Sequence, residues 1–179
     1  MRKLTHLLLV ALVAVGIAGC KGETKEPAEA ESFHFTIYPG SRYLTQVTEV
    51  FRQASKAYRP NEEIPPIAVY DTDATVEQVA EFYAKAYGYP NIAPDATNDL
   101  SAAKPPAYYR AGDLATDVKA TEDVIKKLGL KTDASKAVGT YRAAEIGPKP
   151  NRPRVTIQRP YFDVTTSQVV DRTIILMAR

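Results

Sequence analysis

Residues 7–20 read LLLVALVAVGIAGC, follow closely on Arg2 and Lys3, and end at the only cysteine in the chain. Two cations, an apolar run of roughly 13 residues and small side chains before a cleavage point form the pattern of a secretory signal peptide. The run falls well short of the ~20 residues that a membrane-spanning helix requires. Export and removal of residues 1–19 are therefore expected, and the rest of the chain must fold without them.

Ile17-Ala18-Gly19-Cys20 resembles the lipobox of bacterial lipoproteins. That resemblance implies cleavage between Gly19 and Cys20, a diacylglycerol on the Cys20 thiol and an acylated new N-terminus carrying a palmitate-type chain. Several chains anchor firmly where one binds only marginally, at about 0.8 kcal/mol per buried methylene. In enteric-type bacteria an aspartate after the cysteine would look like an inner-membrane retention signal. Lys21 stands there instead, which favours the outer membrane, facing the periplasm. Residues 21–32, KGETKEPAEAES, lack large apolar side chains and read as a flexible tether, with a single domain over 33–179.

Cleavage also changes the chemistry available. Removing Arg2 and Lys3 takes Lys+Arg from 23 to 21, against 21 Asp+Glu, so the mature chain is formally neutral and gives no reason to expect nucleic acid. His6 is lost and only His34 remains, while acylation consumes the sole thiol. A zinc site of Cys and His ligands needs several such groups, and a nucleophile–histidine arrangement would have to use His34. Walker, GxGxxG, GxSxG, HExxH and CxxC motifs are all missing, so no metal or cofactor is expected.

Along the domain, Phe33 to Tyr38 alternates as a short strand, with His34 on its polar face, and Pro39-Gly40 ends it. Ser41 is placed to cap a helix from Arg42 to Tyr58, with Leu44, Val47, Phe51, Ala54 and Tyr58 at helical spacing. Ile64 to Asp71 reads as a strand, and Thr75-x-x-Gln78 as a capping box opening a helix that Gly88 closes. Tyr89 to Asp113 carries four prolines and reads as a long loop. Leu114, Val118, Thr121, Ile125 and Leu128 mark a further helix, with Gly129 as its stop. Strands are expected at 139–146, 154–159 and 168–178, consecutive and shortly connected, hence an antiparallel meander. The fold class is α+β, with two to three helices covering one face of a mainly antiparallel sheet.

Ile67-Ala-Val-Tyr-Asp71-Thr-Asp73-Ala-Thr75 resembles the DxDxT motif of haloacid-dehalogenase-like phosphatases, and Gly112-Asp113-Leu-Ala-Thr-Asp117 their GDxxxD motif. The resemblance implies Asp71 as nucleophile, Asp73 as general acid/base, and Asp113 and Asp117 as carboxylates beside a magnesium ion. Only about 40 residues separate the two motifs, whereas a parallel sheet needs several βα units of ~30 residues each. Carboxylates gathered at one pocket would favour such an enzyme, and carboxylates scattered over the domain a binding module.

Inside the proline-rich stretch, Lys104 and Arg110 flank Tyr108 and Tyr109, as on a surface contacting a glycan or an envelope protein. The basic run Lys149 to Arg154 reads as a solvated loop feeding a strand. The phrases YPGS, IAVYDTDATVEQVAEFYAKAYGY, RPYFD and VVDRTIILMAR resemble an uncharacterised family of bacterial lipoproteins, which implies no particular activity. The expectation is a non-catalytic envelope lipoprotein, held to the membrane through Cys20, whose domain binds a protein or cell-wall partner.

Overall fold

A computed structural model describes residues 35–94 and 105–179, so the lipobox, tether, His34 and Lys104 lie outside the described residues. Eight strands are seen: β1 (Arg42–Tyr43), β2 (Ile67–Thr72), β3 (Ala107–Asp113), β4 (Thr140–Ile146), β5 (Arg154–Arg159), β6 (Tyr161–Asp163), β7 (Gln168–Val170) and β8 (Thr173–Ala178). The helices are α1 (Thr45–Tyr58), α2 (Val76–Tyr87), α3 (Leu114–Ala120) and α4 (Glu122–Lys127). Six strands make one sheet in the order β1–β2–β8–β5–β4–β3, every pairing antiparallel, while β6 and β7 form a separate hairpin. The protein is α+β with a mainly antiparallel sheet.

Helices cover both faces of this sheet rather than one. On the first face the α2 stripe of Val79, Ala80, Tyr83 and Tyr87 packs on Ala144, Ile146, Val155, Ile157, Ile175 and Met177. The capping box at Thr75 and Gln78 starts this helix and left-handed Gly88 (φ 70°) ends it, both as the sequence requires. On the second face α1 sets Leu44, Val47 and Phe51 over Ile67, Val69, Leu176 and Ala178. Beside it, Leu114 and Val118 of α3 and Ile125 of α4 pack on Tyr141 and Ala143. Strands β5 and β8 are thus buried on both sides.

Several local expectations are corrected. Residues 35–38 form no strand, because Phe35 and Tyr38 turn into the α2 core, with the Tyr38 and Phe82 rings 5.2 Å apart edge to face. Helix α1 begins at Thr45, not Arg42, and has no side-chain cap; Arg42 and Tyr43 are drawn into β1 by pairing with Asp71 and Tyr70. The last seven residues of the expected 89–113 loop are the edge strand β3. The helix after it breaks at Thr121 into α3 and α4, where the Thr121 hydroxyl bonds back to the Val118 carbonyl. The last strand is likewise two, β7 and β8, separated at Asp171-Arg172.

Gly112 holds one contact that matters below. An added Cβ there would lie 2.3 Å from the Tyr141 hydroxyl, so only glycine lets the Tyr141 ring lie against β3. Gly112→Ala is expected to destabilise the domain by about 1–3 kcal/mol through overpacking, read by urea denaturation; an unchanged midpoint would show that Tyr141 has room to move.

Candidate functional site

The register of the sheet places Thr156, Gln158, Ala143, Glu145, Tyr108 and Arg110 on the second face, under α1, α3 and α4. The two helical layers do not close over it. Between α1 and α3–α4 lies a cavity of about 110 Å³, within about 970 Å³ of empty space that includes its opening to solvent. Val47, Val50, Phe51 and Ala54 of α1 form one wall, and Leu114, Val118, Val124, Ile125 and Leu128 the other. Ile174 and Leu176 join Thr156 and Gln158 in the floor, with Tyr161 to Val164 at one end. An apolar hollow with a few converging polar groups is the usual form of a small-molecule site.

Beneath the floor runs a buried polar chain. The Thr156 hydroxyl donates to Glu145 Oε2 at 2.9 Å, and Glu145 Oε1 lies 3.5 Å from Arg110 Nε. Arg110 Nη1 donates to the Tyr141 hydroxyl at 2.5 Å, and the Asp117 carboxylate lies close enough to that hydroxyl to be shifted by it. Both ends of this chain, Thr156 and Asp117, line the cavity. Glu145 is 1% exposed and Arg110 7%, so neither charge is solvated. Burial pushes the Glu145 carboxyl up, while Arg110 and Thr156 pull it back. Burial likewise raises Asp117, opposed by Tyr141 and Arg110, and Asp113 adds to the rise. Tyr141 and Tyr161 are pushed up to about 12 by burial, so both remain neutral hydroxyls near neutrality.

The four aspartates of the two phosphatase-like motifs are not brought to one point. Asp71 is wholly buried in β2 and receives Arg42 through two hydrogen bonds of 3.1 and 2.6 Å. Arg172 Nε lies 3.1 Å away, and the Tyr161 hydroxyl donates at 3.4 Å. Asp73 is exposed and paired with Arg172, which holds its carboxyl below the usual range. Asp113 caps α3 by accepting from the Thr116 amide. Strand β3, which ends at Asp113, is four steps across the sheet from β2, about 19 Å at ~4.8 Å per step. Among the described residues no three His, Cys, Asp or Glu side chains group so as to hold a metal ion.

Tyr108, Tyr109 and Arg110 do not share one surface. Tyr108 and Arg110 face the protein interior from β3, and Tyr109, on the opposite face, lies under the Arg142 guanidinium at 4.7 Å. The signal missed in the sequence was Val155-Thr-Ile-Gln158 beside Ala144-Glu-Ile146. Alternation of that kind reads as one buried and one wet face, whereas both faces here are covered. No helix among the described residues is long and apolar enough to cross a membrane.

Ionising Asp117 costs the folded state more than the unfolded one. A raised folded pKa gives stability that is full below the unfolded carboxylate range, ~3.9, and is lost as pH rises through the folded value. Asp117→Asn is therefore expected to gain in melting temperature relative to the parent between pH 4 and pH 7. A constant difference across that range would contradict the burial of this carboxylate. No protein-family model, curated protein or solved structure matches the chain, so its functional reading stands on this geometry.

Proposed function

We propose that this chain is an envelope lipoprotein, anchored through an acylated Cys20, whose folded domain binds its ligand without transforming it. The cavity between α1 and α3–α4 is the binding site, and its apolar walls are the observation that carries the reading. Apolar lining suits a small molecule or an apolar group presented by an envelope partner better than a polyhydroxylated cell-wall glycan, which needs many hydrogen bonds. The dispersal of the aspartates supports binding over hydrolysis, since Asp71 and Asp73 are held by arginines and Asp113 by a helix cap. The IAGC segment supports the anchor, and the neutral mature charge gives no reason to expect nucleic acid.

The chain has no tryptophan, so emission from added indole, excited to the red of tyrosine absorption, reports the ligand alone. Indole is expected to shift to the blue on binding, and Ala54→Phe, which places a ring in the cavity, to weaken binding about tenfold or more. Val50→Phe serves as a second variant should the first fold poorly. Undiminished binding in both would remove the cavity from the account. The anchor has its own test: an alkyne-bearing palmitate analogue fed to cells is expected to label the protein, and Cys20→Ala to abolish the label.

A further inference from the structure

The cavity walls carry a charge of one sign. Among the described residues its charged lining residues are Asp117 and Asp163, with no lysine, arginine or histidine. The nearest cation in the polar chain, Arg110, lies beneath the floor and is balanced by Glu145. Asp163 is occupied at its own turn, accepting from the Thr165 amide at 2.8 Å and the Thr165 hydroxyl at 2.6 Å. Asp117 lines the cavity beside the Tyr141 hydroxyl, and a carboxylate offers about four acceptor sites, so it can take a further donor.

We infer that the cavity selects a small neutral or cationic amphiphile, its apolar chain or ring seated between Val118 and Leu176 and its hydroxyl or ammonium donor on Asp117. This inference rests on the proposed function and specifies the ligand class of the same site. An anionic amphiphile such as a carboxylate would bring its charge against Asp117 in an apolar enclosure where water screens little, so it is disfavoured. Size sets a second limit. A cavity of 150 Å³ holds benzene, so about 110 Å³ encloses a short chain or part of a ring, and anything larger must extend through the opening. Thr156 and Gln158 in the floor add hydroxyl and amide partners that accept either head group.

Three probes of one chain length separate these terms of recognition: 1-hexanol, hexylamine and hexanoate, titrated calorimetrically at pH 7. The protein is the full mature chain from residue 20, with Cys20→Ala to avoid lipid and detergent. Hexanol and hexylamine are expected to bind at least tenfold more tightly than hexanoate, and Asp117→Asn to bring all three within about threefold. Hexanoate binding as tightly as the other two in the parent chain would overturn the inference and leave the cavity reading intact. A preference that survives Asp117→Asn would overturn the role of Asp117. Failure of all three to bind would remove the cavity reading together with this one. The comparison in the parent chain needs no variant to fold.

Discussion

The buried Arg110–Glu145 pair governs how the second face of the sheet is built. Two charges taken out of water cost several kcal/mol each, and their attraction offsets this only with hydrogen bonds on the remaining atoms. Thr156 and Tyr141 supply one such bond each, while Arg110 Nε and Nη2 and Glu145 Oε1 have none among the described residues, and Asp117 lies beside Tyr141 in the helical layer. The helices on this face must therefore sit where polar groups can reach them. On the α2 face no such demand exists, and a single helix packs flat over aliphatic side chains. The cavity lies on the face with the charges, and both ends of that chain are among its lining residues.

This asymmetry also separates the densest packing from the cavity within one sheet. The α2 face supplies a dense core in which Tyr83, Ile157, Ile175 and Met177 are almost wholly buried. The other face has two smaller clusters, one under α1 and one under α3–α4, with the hollow between them. Cation–aromatic contacts on the outer surface, such as Arg152 over Tyr87 and Lys149 over Tyr89, tie the β4–β5 connection to the end of α2. They account for much of the basic run that leads into β5 without calling on an anionic partner. The second face is free to carry unfavourable polar burial because the first is so well packed.

Local signals were legible where local physics decides. The Thr75 capping box and Gly88 stop bounded α2, and the β-branched runs located β5 and β8. Long-range partners erased other signals. Arg42 left the expected helix because buried Asp71, 29 residues away, needs its guanidinium. Phe35 and Tyr38 left the expected strand for the α2 core. Strand β3 was hidden because Tyr108 and Tyr109 are alike in sequence yet serve opposite faces, and because Arg110 is charged yet buried. The cavity itself could not be read from any one segment, since its lining comes from α1, α3, α4, β5, β6 and β8.

The central claim is that apolar ligands enter between α1 and α3–α4. Intermolecular NOEs between 1-hexanol and selectively labelled valine, leucine and isoleucine methyl groups test it most directly. Contacts with Val47, Val118, Leu128 and Leu176, which converge from both walls and the floor, are the predicted result. Contacts confined to exposed methyls such as Val138 and Val169, with none in the cavity, would contradict it.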